Sequence, residues 1–237
     1  MTGILIVRSE PGGGETAARA AARGIEAVVA PIFETRPIAW EPPHPGYAQA
    51  VMLTSANAAR LAGPGLAALT RLRCYAVGER TAVEARSAGF GDVKVGEGDG
   101  EQLLALMARD GMTSAFHLCG REHRRLEWPG VTLTRRIVYA ADALDRLPDT
   151  AAAALGGGAV ALLHSPRAAR HFASLADNAG LRRAAIRIAA ISDRAAEAAG
   201  DGWKQKAVSR SPRDEALLEL AAELCKTGLH RGTGMAG

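Results

Sequence analysis

Aromatic residues are scarce in this chain. Phe, Trp and Tyr make up 4% of its 237 residues, against 48% hydrophobic residues overall. Its cores must therefore be aliphatic, which suits parallel sheets covered by helices. Cysteine is also rare and odd in number. Cys74, Cys119 and Cys225 form no C-x-x-C, which argues against a disulfide framework or a zinc site. No G-x-S-x-G surrounds any serine, so a hydrolase of that kind is not expected. No H-E-x-x-H or paired His/Asp cluster is present, so no metal is expected. The six histidines are scattered, and His117 and His164, at strand ends, read as structural. The run Gly12-Gly13-Gly14 lacks both the G-x-G-x-x-G register and a following G-K-[ST], and reads as a loop rather than a phosphate cradle. Nothing resembles a recognition helix or a basic-aromatic stripe, so no nucleic-acid partner is expected. The longest weakly polar stretch, 151–163, holds three glycines and is too short to span a bilayer. No secretory signal is visible at the start, and a soluble cytoplasmic protein is expected.

What the chain does have is an internal echo. VMLTSANAARLAG at 51–63 ends an apolar run in Thr54-Ser55 and then turns helical, and ALLHSPRAARHF at 161–172 does the same. Ser55 matches Ser165 and Ala58-Ala59-Arg60 matches Ala168-Ala169-Arg170, both at an offset of 110. AVGERTA at 76–82 matches AISDRAA at 190–196, and EQLLAL at 101–106 matches EALLEL at 215–220, both at an offset of 114. Three blocks in one order predict two related α/β units, with a ligand site expected between them. A net charge of +4 is a mild basic bias that fits an anionic small ligand.

Apolar runs bounded by turn residues predict strands at 4–7, 27–33, 51–54, 73–77, 92–95, 115–118, 132–139, 159–163, 187–191 and 206–208. Helical patterns fall at 15–23, 57–69, 79–88, 101–109, 121–127, 166–177, 193–199 and 213–226. Pro37, Pro42, Pro43 and Pro45 mark an extended connector over 34–47, and 140–148 returns the chain. The first two strands belong with the last three, so one domain is discontinuous (1–36 plus 143–227) and the other (42–138) is inserted as a circularly permuted relative. Residues 37–41 and 139–142 are the connectors, and the domains are expected to move as rigid bodies about 34–41 and 138–142. The Gly-rich tail, 228–237, is expected to be disordered. The predicted fold is α/β, with two doubly wound parallel-sheet domains.

Ligands of such sheets bind beyond the carboxyl ends of the strands. The residues placed there are Arg8 and Ser9; Thr54, Ser55 and Asn57; Gly78 and Thr81; Gly120 and Arg121; Ser165 and Arg167; Ser192 and Arg194. They are hydroxyls, arginines and helix starts, with few carboxylates, a set suited to a ligand carrying carboxylates or phosphates. For Ser55, Asn57 and Ser165, helix capping alone and ligand contact are both open. Of Arg121, His123, Arg124 and Arg125, only Arg121 is placed for the cleft, the others reading as a solvated helix face.

ILIVRSEP, VMLTSANAAR, AVGERTA, SAFHLCGR, RRIVYAAD, LLHSPRAAR and AISDRAA, in this order over residues 3–225, resemble uroporphyrinogen-III synthase. The resemblance implies two flavodoxin-like domains, a two-stranded connector and a cofactor-free site. It also implies a substrate, hydroxymethylbilane, which loses its hydroxyl as water and closes with ring D inverted. It makes Tyr139 the candidate proton donor to that hydroxyl. The family's G-x-x-T-A stands as Gly78–Ala82 in one domain, but is replaced by Ser192-Asp193-Arg194-Ala195-Ala196 in the other. Arg8, Ser55, Thr81, Arg121, Ser165 and Arg194 are the expected substrate contacts, and a monomer is expected. Two readings stay open beside the synthase: a non-catalytic binder of an anionic small molecule, and a phosphosugar or nucleotide enzyme using Gly12–Gly14.

Overall fold

The structure, a computed structural model, describes residues 3–229. In chain order its elements begin with β1 (Ile4–Ile6), α1 (Gly12–Ala21), β2 (Ala27–Val29), β3 (Phe33–Pro37), β4 (Ala50–Leu53), α2 (Ala56–Leu61) and β5 (Arg73–Ala76). There follow α3 (Glu79–Ser87), β6 (Val93–Val95), α4 (Gly100–Arg109), β7 (Ser114–Gly120), β8 (Thr132–Ala143), α5 (Asp149–Gly156) and β9 (Val160–Leu163). The last are α6 (Pro166–Asn178), β10 (Arg187–Ala190), α7 (Asp193–Ala199), β11 (Gln205–Val208) and α8 (Asp214–Leu229). They form two compact units, one of Met1–Glu34 with Ala143–Gly237 and one of Thr35–Asp142.

The first unit carries a five-stranded sheet in the order β11-β10-β9-β1-β2, parallel throughout. Counted within the unit this is the order 2-1-3-4-5, whose reversal point falls between β1 and β9. Ile4, Ile6, Val160, Leu162 and Ala189 pack against Leu217, Leu218 and Leu224 of α8. The second unit's sheet runs β3-β8-β7-β4-β5-β6, and β8 to β6 are parallel. Its equivalent reversal point falls between β7 and β4. β3 runs against β8: Ile38 N donates to Val138 O at 2.9 Å while Leu144 N donates to Ile32 O at 3.0 Å. Val51, Leu53, Phe116 and Leu118 face one core, and Met52, Tyr75, Leu103 and Leu104 face the other. This is the expected alternation of a sheet buried on both sides.

Several expectations need correction. The triple glycine is not a loop but the first turn of α1, where Glu10 accepts from Gly14 N at 2.8 Å. A Cβ on Gly12 would stand 2.6 Å from Arg8 Nε, and one on Gly13 2.8 Å from Val29 Cγ1. Glycine is needed there for close approach, and the helix start is occupied by a carboxylate of the chain's own. The pattern at 57–69 splits into α2 and a 3-10 turn, Pro64–Leu69, because Gly63 takes a φ of 68° and Pro64 cannot continue a helix. α5 lies outside the expected helices: half of its eight residues are alanine, and no polar face gives it a period. α8 runs on through Gly228 and Leu229, since one glycine costs a helix only about 1 kcal/mol. The rest of the expected disordered tail, 230–237, lies outside the described residues. The helix expected over 121–127 is absent, and the segment is irregular. Only Leu126 is buried in it, so a helix there would have no apolar face to hold it, and Arg121, Arg124 and Arg125 would crowd one side.

Candidate active site

That missing helix opens the site. In the first unit α1 crosses between β1 and β2 and covers the start of α8; in the second, between β7 and β8, the irregular segment leaves a cavity of about 320 Å³. It is lined by Thr54, Ser55, Val77, Asp99, Gly100, Gly120, Glu122, His123, Arg124, Leu126 and Tyr139. It therefore sits at the carboxyl ends of β4 and β7, at the reversal point where doubly wound sheets take ligands.

Tyr139 enters from β8, in register with Gly120 at the end of β7. A Cβ on Gly120 would come within 2.7 Å of the ring and 2.9 Å of the hydroxyl, so the glycine is the seat on which the phenol lies. Arg121 N donates to Tyr139 O at 2.9 Å and pins the backbone. Thr54 Oγ1 lies 3.0 Å from Nε2 of His117, a residue with no exposed surface. Burial pushes the His117 imidazole down to about 4, with the positive charge of His123 and Arg135 acting in the same direction. His123 stands edge-on to it at 6.2 Å between centroids and its Nδ1 is 2.9 Å from Gly120 O. Ser55 caps α2, accepting from Asn57 N at 3.2 Å. Asp99 caps α4, accepting from Glu101 N and Gln102 N at 3.0 and 3.1 Å.

The expected set is thus only partly assembled. Thr54, Ser55, Gly120 and Tyr139 line one cavity. Asn57 and Gly78 do not line it, nor does Thr81, which is 4% exposed inside α3. Arg121 also stands apart: with no helix to carry it, its guanidinium pairs with Asp142 at 2.8 Å. His123 and Arg124 are exposed, as a solvated segment requires, but they also line the cavity, where Arg124 pairs with Glu101 at 3.0 Å, and Asp99 and Glu122 add carboxylates that the strand-end inventory left out. Spacing could not show this, because these residues reach the cavity only through an irregular loop.

In the first unit the corresponding place is filled. Asp214, at the start of α8, accepts from Thr16 Oγ1 at 2.9 Å and Arg19 Nη1 at 2.7 Å, and lies 2.9 Å from His164 Nε2. Arg8 is 3.7 Å away. Burial raises the Asp214 carboxyl, but the hydrogen bonds from His164 and Thr16 and the charges of His164 and Arg19 outweigh it and hold the group down at about 2. Arg8 is therefore engaged inside its own unit. Ser9 donates to Phe33 O at 3.0 Å. Ser165 and Ser192 cap α6 and α7 through Ala168 N at 3.1 Å and Ala195 N at 3.4 Å. Arg167 lies over the Phe33 ring at 4.4 Å, and Arg194 is exposed on the first turn of α7.

The model of the family described as uroporphyrinogen-III synthase HemD matches residues 14–219. The chain belongs to the uroporphyrinogen-III synthase family. Among solved structures, the uroporphyrinogen-III synthetase of Helicobacter pylori 26695 is similar, with 19% identity and a TM-score of 0.62 over 94% of this chain and 100% of that one. A mutant uroporphyrinogen III synthase of the extremely thermophilic bacterium Thermus thermophilus aligns with 16% identity and a TM-score of 0.48 over 95% and 99% of the two chains. No curated protein matches. The Helicobacter pylori likeness is one of fold; the family assignment comes from the match to the family model. No described helix is long and apolar enough to cross a membrane, and no group of three or more His, Cys, Asp or Glu among the described residues could hold a metal ion.

Proposed function

We propose that this chain dehydrates and cyclises hydroxymethylbilane, inverting ring D, to give uroporphyrinogen III in haem biosynthesis, with Tyr139 as the proton donor. One observation carries the assignment of role. Tyr139 is a phenol on the wall of the cavity at the sheet's reversal point, packed over Gly120. Hydroxide is a poor leaving group, and a phenol held against it can supply the proton with which it leaves as water. The carbon–oxygen bond breaks as the neighbouring pyrrole nitrogen's lone pair pushes in. The carbocation equivalent is then captured at the substituted α-carbon of ring D; the bond from that carbon to its original methylene bridge breaks and re-forms at the free α-carbon, which turns the ring over, and the proton lost there on rearomatisation balances the one Tyr139 gave. No cofactor is needed for such a step, and the reaction class is that of a cyclising hydro-lyase. Arg124, paired with Glu101 at 3.0 Å but 71% exposed, can exchange that partner for a substrate carboxylate in the second unit, and Arg194 is an exposed cation at a strand end of the first.

The test is a coupled assay in which hydroxymethylbilane is generated in place and the product isomers are separated. The enzyme is expected to yield the inverted isomer. If the product ratio equals that of the unassisted ring closure, the chain binds without catalysis and this reading fails.

A further inference from the structure

His117 presents one nitrogen to Thr54 and keeps the other, Nδ1, buried without a hydrogen-bond partner. The Nε of Arg135 is likewise buried and unpartnered, and Arg135 is the register partner of His117 on β8. β4 and β8 flank β7 on opposite sides. Thr54 and Arg135 thus belong to strands on opposite sides of the one that carries His117, and Arg135 Nη2 donates to Leu126 O at 2.6 Å.

A hydrogen bond between a hydroxyl and a neutral imidazole can run either way. In one sense Nε2–H donates to Thr54 and Nδ1 is a bare lone pair. In the other, Thr54 donates to Nε2 and the ring proton sits on Nδ1. The second leaves a buried N–H with no acceptor beside the positive charge of His123 and Arg135; the first leaves only a lone pair, which that charge favours. At a site buried this completely the effective dielectric is low, and electrostatics selects the first. The imidazolium form is removed by burial and by the positive charge of His123 and Arg135, the groups that act on this ring. Once Nε2–H donates to Oγ1, the Thr54 hydrogen cannot return toward the ring, and the open side of Thr54 is the cavity.

We propose that His117 is a positioning residue whose fixed tautomer makes Thr54 a hydrogen-bond donor into the cavity, toward a substrate oxygen: a carboxylate or the departing hydroxyl. The proposal rests on the catalytic reading of this cavity, and its first test does not depend on that reading. In the full chain without substrate, long-range ¹⁵N–¹H correlation spectra should show His117, identified by the signal lost in His117→Gln, as the neutral Nε2–H tautomer from pH 8 down to 5. An Nδ1–H tautomer, or an imidazolium at pH 6, overturns the proposal whatever the enzyme does.

Kinetics supplies the second test. Thr54→Val should lose about ten- to a hundredfold in kcat/KM, the range for a hydrogen bond to a charged or developing-charge group, and Thr54→Ser should restore it. A loss carried by KM identifies the acceptor as a carboxylate, and one carried by kcat identifies the departing hydroxyl. His117→Leu should lose on the order of tenfold through the freed hydroxyl, whereas His117→Gln, whose amide N–H reaches the place of Nε2–H, should stay near the parent. Parental kinetics in Thr54→Val overturns the proposal. A parent that yields no inverted isomer defeats the catalytic reading instead, and leaves the spectroscopic result to stand by itself.

Discussion

The two units place different chemistry at the same point of one architecture. Thr54 and His164 hold equivalent positions, each just before a serine that caps the next helix, and each next to its sheet's reversal point. In the first unit that point is sealed by a charge: Asp214 gathers Thr16, Arg19 and His164 within 3 Å and Arg8 at 3.7 Å. In the second unit a neutral histidine lies beneath a cavity, and the helix that would have supplied a counterpart of Thr16 is missing. In the second unit the loss of cover, as much as any group gained, opens a cavity at the point that the first unit seals. The unit with more arginines at its strand ends has already neutralised its best-placed one.

The contrast predicts separate acid windows. His117 is held at about 4, below its unfolded value near 6.5, so it favours folding only while neutral. The unfolded state gains the proton first as pH falls. The second unit should therefore lose about 3 kcal/mol between pH 6.5 and 4, with no further loss from this group below that. Hydrogen exchange of β7 amides against pH measures it, and His117→Gln should flatten the curve. An unchanged slope in that variant breaks the comparison.

Next in size is the chemistry. Tyr139→Phe should lower kcat by about a hundredfold or less, at or under the low end for a general acid. Affinity should barely change, and product should shift toward the uninverted isomer. Parental rate with full inversion would return Tyr139 to a packing role. Asp214→Asn should destabilise the first unit by about 2 kcal/mol, read from protection of β9 amides. The sign is opposite in origin to that of His117: a depressed carboxyl stabilises above its unfolded value near 3.9, and the contribution is lost as pH falls from about 4 to about 2. Gly120→Ala should cost about tenfold in kcat by lifting the phenol off its seat, with little change in KM. The smallest effect is expected at Arg8. Because Asp214 engages its guanidinium, Arg8→Ala should change KM by less than about threefold, and a tenfold rise would show that the first unit's strand ends bind substrate through it.

Much of this was legible in the residues themselves. The central strands β1, β4, β5, β9 and β10 were legible as short apolar runs, and capping by Ser55 and Ser165 was one of the two roles open for a serine before an alanine-rich period. Tyr139 and Gly120 stood out through the order of motifs. His123, Arg124 and Asp99 did not, because what brings them to the cavity is the course of an irregular segment that has no period to read. Nor did Asp214 reveal its place. It lies 198 residues from Thr16, and only the pairing of α1 with the start of α8 joins them.

The sequence by itself determined the two α/β units, their permuted order and the strand ends on which chemistry could sit. Burial pattern and turn residues are local properties that a chain carries wherever it goes. Which strand end is open, which arginine is already neutralised and which histidine nitrogen has a partner were decided by the tertiary structure alone. Desolvation and hydrogen-bond satisfaction depend on neighbours far away in the chain, and these exist only once the sheets are assembled.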